Sequence, residues 1–188
     1  MGERRFVALA GLAIQKRAKG DGSESNLIVG HASVFDQWTT LYEGRYWTWR
    51  EVIRPGAYAR AIKEQQDVRA LFNHDPNFVL GRTTSGTLTL REDKVGLWSE
   101  TEPPESQMVR DLVLTPIGRA DISGMSFAFE VPRKGERKIT EHEDGSEVIE
   151  TPYERVTLRY EGERLIEERE ILDVDLFDVS PVTYPAYE

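Results

Sequence analysis

Three histidines and no cysteine set the chemistry open to this chain. Without thiols there is no disulfide, no thiolate nucleophile and no cysteine metal ligand. A metal site would need imidazole and carboxylate alone, and His31, His74 and His142 show no i,i+4 pairing, so no structural zinc is expected. What remains is a hydroxyl nucleophile, a base to take its proton, and a group to orient the base. One hydroxyl stands out. In "GMSFAFEVP", residues 124–132, Met125, Phe127, Phe129 and Val131 share one set of alternate positions, and Ser126 opens the other with Ala128 and Glu130. A hydroxyl inside so apolar a strand must be hydrogen-bonded, exposed or reactive.

Of the histidines, His74 is the best placed to serve Ser126. It lies in "LFNHDP", where an apolar strand gives way to a turn, so its ring can overhang a cleft while its backbone is held. His31, between two apolar strand segments, reads as a half-buried strand residue, and His142, in the charged "ITEHEDGSE", reads as surface. The third group is sought by strand parity in "ILDVDLFDVSPV". Leu172, Val174, Leu176, Asp178 and Ser180 fall on one face, and Ile171, Asp173, Asp175, Phe177 and Val179 on the other. Asp178 thus continues an aliphatic face, where an unpaired carboxylate is costly and something polar should meet it. Glu170 and Asp175 are its rivals. Each position taken singly has an ordinary structural explanation, and the pattern by itself points no further than a serine hydrolase.

These residues need a rigid frame, and the chain offers strands. "RFVALAGLAIQ" and "SNLIVGHASVFD" read as two strands joined by a Gly/Ser-rich turn, and "QWTTLYEGRYWTW" as an aromatic loop over residues 38–49. "REVIRPGAYARAIKEQQ" reads as a strand end followed by a helix, with Pro55 near its first turn. "VLGRTTSGTLTLRED" and "GLWSETEPP" form a hairpin or meander, and "PESQMVRDLVLTPI" has helical spacing. Residues 133–168 are highly charged and are expected to form an extended hairpin insertion within a single domain covering 1–188. The last strand is expected to close at Pro185. Many strands and two helices predict a mainly β protein with peripheral helices, as a β-barrel or rolled sheet.

Composition narrows the partners. Of 188 residues 39% are hydrophobic, enough for an ordinary core, and the net charge of −9 makes broad binding to nucleic acid or anionic lipid repulsive. The apolar patch near the start is short and bracketed by Arg4, Arg5, Lys16 and Arg17, so an edge strand is expected there rather than a signal peptide. No stretch reaches the roughly 20 apolar residues of a spanning helix. A soluble, cytosolic protein is expected.

Four blocks, "EVIRPGAYARAI", "VRALFNHDPNFVLGRT", "ISGMSFAF" and "LFDVSPVTYPAY", occur in that order. Together they resemble the tailed-phage prohead (procapsid) maturation protease family, related to the herpesvirus assembly proteases, over residues from about 29 to 187. The resemblance implies a closed or nearly closed β-barrel ringed by helices. It also implies a serine endopeptidase whose histidine precedes its serine, matching His74 as base and Ser126 as nucleophile. The herpesvirus enzymes use a second histidine on a later strand. No histidine follows His142 here, so Asp178 is the residue offered in that place. The oxyanion hole is not legible; backbone N–H groups are the default, and Arg82 in "GRT" is a conceivable helper. The resemblance further implies no cofactor or metal. Its substrates would be the major capsid protein and scaffold segments, and the enzyme itself, inside the procapsid assembling in the host cytoplasm. Homo-oligomerisation stays open. The rival reading is an inactive, scaffold-associated barrel that binds capsid protein through its aromatic loop, and a serine esterase or amidase differs only in substrate.

Overall fold

The computed structural model describes residues 2–7 and 11–184, with Phe6 and Val7 described by their main chain alone. The expected close of the last strand at Pro185 lies outside the described residues. Strand makes up 53% and helix 11%, so the expected mainly β class holds.

Three sheets carry the strands. A five-stranded sheet has the order β1 (Glu3–Val7), β10 (Gly124–Glu130), β15 (Asp175–Val182), β6 (Arg69–Phe72), β7 (Asp75–Arg82). A four-stranded sheet has the order β2 (Ala13–Ala18), β3 (Glu24–Val34), β9 (Gly96–Thr101), β8 (Leu88–Glu92). The six-stranded sheet runs β11 (Lys138–Glu141), β12 (Glu147–Glu150), β13 (Glu154–Glu161), β14 (Arg164–Ile171), β5 (Trp47–Ile53), β4 (Thr39–Glu43). Each sheet keeps two free edges, and no closed barrel is found among the described residues. Two pairings are parallel, β14 with β5 and β15 with β6, and both join segments far apart in sequence.

Local sequence explains several departures from the expected elements. "RFVALAGLAIQ" is two strands in different sheets, not one, and Gly11 between them sits at φ +61, a bend that a side chain disfavours. The aromatic loop is instead the β4–β5 ladder, because "WTWREVI" alternates aromatic and β-branched residues that suit a pleated surface. Residues 133–168 hold a four-stranded antiparallel meander of three successive hairpins, β11 to β14, and β14 extends to Ile171.

The helices are short. α1 (Ala59–Lys63) follows β5 through Pro55 and Gly56, as its sequence predicts. Ser106 opens the second helical stretch by accepting the Val109 N–H on its hydroxyl, 3.2 Å away. That stretch runs through α2 (Gln107–Val109), a π-helical turn (Arg110–Leu114) and α3 (Thr115–Gly118), with Val109, Val113 and Ile117 facing inward at i,i+4 spacing.

The core gathers Ile28 and Leu97 from the four-stranded sheet, Phe127, Phe129 and Val179 from the five-stranded one, and Ile53 and Ile171 from the six-stranded one, around Tyr58. β3 and β9 approach so closely that a Cβ at Gly96 would lie 1.9 Å from the Ser33 carbonyl oxygen. The central strands of the five-stranded sheet are therefore held from behind by packed apolar side chains, and their other face is free to carry polar groups.

Candidate active site

His74 lies within the turn itself. Phe72 pairs with Asp75, leaving a two-residue hairpin loop in which Asn73 and His74 have φ of 54° and 57°. Positive φ at both positions is the type I′ geometry, which Asn tolerates well and His adopts at a cost of about 1 kcal/mol or more. Asn73 secures the tip. Its N–H donates to the Pro181 carbonyl at 3.1 Å, and its Oδ1 accepts from the Thr183 N–H at 2.8 Å and hydroxyl at 3.2 Å. The backbone strain thus fixes the imidazole over the end of β15.

From that position the ring bridges two strands. His74 Nε2 is 2.6 Å from the Ser126 hydroxyl oxygen, and His74 Nδ1 is 2.6 Å from Asp178 Oδ1. An ionised carboxylate can only accept, so the ring proton belongs on Nδ1, and Nε2 is left as the acceptor facing Ser126. The Ser180 hydroxyl donates to the same Asp178 oxygen at 2.8 Å and lies 3.4 Å from Nδ1. Water has little access: the His74 and Asp178 side chains are 8% and 10% exposed and Ser126 is 3% exposed. In so dry a setting each hydrogen bond is stronger than in water, and a missing partner costs more.

Ser126 and Asp178 meet because β10 and β15 pair antiparallel, with Ser126 opposite Ser180 and Ala128 opposite Asp178. The register then shifts: Phe129 faces Leu176, leaving the exposed Phe177 as an extra residue in β15. This β-bulge corrects the parity reasoning. Leu176 and Val179 both join the core with Phe127 and Phe129, whereas Asp178 lies on the opposite face with Ser126. Strict alternation placed Asp178 among the aliphatic residues, and the bulge removes it from them.

The remaining candidates lie elsewhere. Glu170 pairs with Arg54 at 2.7 Å, and Asp175 with Arg60 at 2.8 Å and Gln66 at 3.0 Å, so neither rival reaches His74. Arg82 pairs with Asp67 at 2.6 Å at the far end of β7. His31 is 3.0 Å from Asp93 and packs edge-on to Trp98. Although burial opposes it, the Val95 and Gly96 N–H groups and the His31 ring lower the Asp93 carboxyl to about 2. His142 is exposed on a hairpin turn. No group of three potential metal ligands occurs among the described residues.

Sequence reasoning missed two participants. Alternation groups Ser180 with Asp178 without giving it a role, though its place two residues along a strand from a buried carboxylate is a usable signal. The other is a main-chain group: the Arg5 carbonyl of β1, 2.7 Å from the Ser126 hydroxyl. Nothing in the local sequence signals it, because it depends on how β1 pairs with β10.

Chemically, the arrangement offers a hydroxyl whose proton can pass to a neutral imidazole, with a carboxylate placed to stabilise the imidazolium that results. No curated protein and no solved structure matches the chain. A family model described as caudovirus prohead serine protease matches residues 13–188, nearly the whole chain. The chain belongs to the caudovirus prohead serine protease family, and its three-residue hydrogen-bonded cluster lies inside the matched region.

Proposed function

We propose that the protein is the endopeptidase of procapsid maturation, with Ser126 as nucleophile, His74 as general base and then general acid, and Asp178 as the group that orients and charge-balances His74. The observation that carries this reading is the continuous hydrogen-bond chain from Asp178 through His74 to Ser126, at 2.6 Å on each side of the ring. The Ser126 oxygen bonds to a peptide carbonyl carbon as its proton moves to His74 Nε2. The C–N bond then breaks as His74 returns that proton to the leaving amine, giving an acyl-enzyme. Water, deprotonated by the same imidazole, adds to the acyl carbon and releases Ser126.

Family membership makes this a prohead serine protease, which supports action inside a phage procapsid, on capsid and scaffold proteins. The finer reading is that it removes the scaffold segment of the major capsid protein, degrades scaffold and finally cuts itself. The chain is taken as one protease domain in which the hairpins of residues 133–168 are an insertion. Among the described residues no helix is long and apolar enough to cross a membrane. Co-expression with the cognate capsid and scaffold proteins tests the reading. Mass spectrometry should show both shortened by the wild type and both intact with Ser126→Ala, whose smaller side chain fits the same strand site. Processing by Ser126→Ala, or none by the wild type, would overturn it; the second result would favour the inactive scaffold-binding alternative.

A further inference from the structure

β1 occupies the edge of β10 that carries Ser126. The two strands run antiparallel, with Phe6 opposite Ser126 and Arg5 opposite Phe127. The family match begins at Ala13, so this strand lies outside it. The Ser126 hydroxyl meets two acceptors, the Arg5 carbonyl at 2.7 Å and His74 Nε2 at 2.6 Å. It has one proton to give. The Arg5 carbonyl therefore competes with His74, and a main-chain carbonyl stands where a scissile carbonyl has to arrive.

The same residue has a side chain in a built slot. Arg5 Nε and Nη2 donate to the two oxygens of Glu51 at 2.6 and 2.9 Å, and the guanidinium lies 5.4 Å from the centre of the Phe129 ring. Glu51, on β5, is 3% exposed. Apart from Arg5, its cationic partner among the described residues is Arg169, through one N–H at 3.1 Å. Arg169 is shared with Glu3 and Glu154. A buried carboxylate that loses its forked partner needs another cation in the same place.

We propose that β1 holds the place of the peptide substrate. The substrate adds to β10 as an antiparallel strand, and the residue preceding its scissile bond carries a basic side chain bound by Glu51 against Phe129. Backbone pairing along β10 supplies register and sequence-independent affinity, and the acidic slot supplies selectivity. This inference rests on Ser126 being the nucleophile. In the structure the hydroxyl meets the oxygen of the Arg5 carbonyl rather than its carbon, so β1 is a resting occupant that substrate must displace.

The test measures the rate at which a fluorophosphonate labels Ser126 in the full chain, and how acetyl-tripeptide aldehydes ending in argininal, citrullinal or glutamal slow it. An aldehyde protects by adding the Ser126 oxygen to its carbonyl carbon, with the hydroxyl proton passing to the aldehyde oxygen. Argininal should protect at a concentration about tenfold or more below that of citrullinal, its uncharged near-isostere, with glutamal weakest. Glu51→Gln should erase most of that gap. Arg5→Ala, which loosens β1 and empties the Glu51 slot while keeping the carboxylate, should label about tenfold faster than the wild type. Equal protection by argininal and citrullinal, or unchanged labelling in Arg5→Ala, overturns the proposal while a labelled Ser126 leaves the nucleophile standing. If Ser126 is never labelled, the nucleophile assignment fails, and this proposal fails with it.

Discussion

Two hydrogen-bonded clusters in this molecule invite comparison. On the six-stranded sheet, Arg155 meets Glu150 and Glu170, Arg159 meets Glu161 and Glu168, and Arg50 also meets Glu168. These residues are mostly a sixth to a half exposed, and most of them have alternative partners. At the junction of β10, β15 and the β6–β7 turn, three side chains meet in a line, nearly dry, and no member has a substitute. The first cluster holds far more charge, and the second is the one proposed to hold the chemistry. A solvated ion pair gives back in Coulomb energy little more than it costs in side-chain entropy, and redundancy makes each member dispensable. In a dry chain where one imidazole alone links hydroxyl to carboxylate, each member is expected to matter far more to function than any one ion pair of the lattice.

Arg169 connects the two regions. Burial opposes its charge, yet Glu3, Glu51 and Glu154 hold its guanidinium above the usual range. Through Glu51 this cation touches the Arg5 slot beside the proposed active site, so the charged lattice has one buried corner at the slot proposed for substrate.

The widest separation between the clusters should appear on removing the base. His74→Ala should lower turnover by about 10⁶-fold, as much as loss of the nucleophile, because the members act as a unit. Its thermal midpoint should fall modestly, since Ala keeps the strain of a positive φ at this position and Asp178 loses its imidazole partner. A residual rate near the wild type would mean the line of three is structural, like the lattice. Asp178→Asn comes next, at about 10⁴-fold in turnover with the fold retained. An amide there can donate to Nδ1 and fix the proton on Nε2, the wrong nitrogen. A loss of stability without loss of turnover would put Asp178 on the lattice side of the comparison.

The His31–Asp93 pair should behave as an intermediate case, visible only in acid. The Asp93 carboxyl is lowered from 3.8 to about 2 in the folded protein, so its ionised form adds stability above the ordinary value. That stability is lost as pH falls through about 2, because the unfolded chain takes up the proton first. Urea unfolding across that window should show the wild type losing more stability than Asp93→Asn, with equal slopes at neutral pH. Identical profiles would remove Asp93 from the acid response. The smallest effect belongs to the lattice: Arg159→Ala should shift stability by about 0.5 kcal/mol or less and leave turnover unchanged. A larger loss would show that the lattice acts cooperatively.

How far the sequence reveals this arrangement depends on how local each feature is. Ser126 in its apolar strand and His74 at a turn are legible because residue type and immediate neighbours define them. Regular alternation points to Asp178, but the bulge at Phe177 breaks that alternation, so the residue meets His74 for a different reason from the one its sequence position suggests. The mainly β character was legible in alternation and turn residues. The open sheets were not, because the parallel pairings of β5 with β14 and β6 with β15 are long-range choices that no local pattern encodes. The Arg5 carbonyl at Ser126 is of the same kind, fixed by a register between residues 121 positions apart in the chain.

The central claim is that one hydroxyl is activated by one imidazole. The most direct measurement is to treat the full chain with a fluorophosphonate and map the adduct by peptide mass spectrometry, in the wild type and in His74→Ala. The account predicts one adduct, on Ser126, in the wild type, and a loss of labelling in His74→Ala even though Ser126 is still present. An adduct on any other serine, or equal labelling of Ser126 with and without the His74 imidazole, would contradict it.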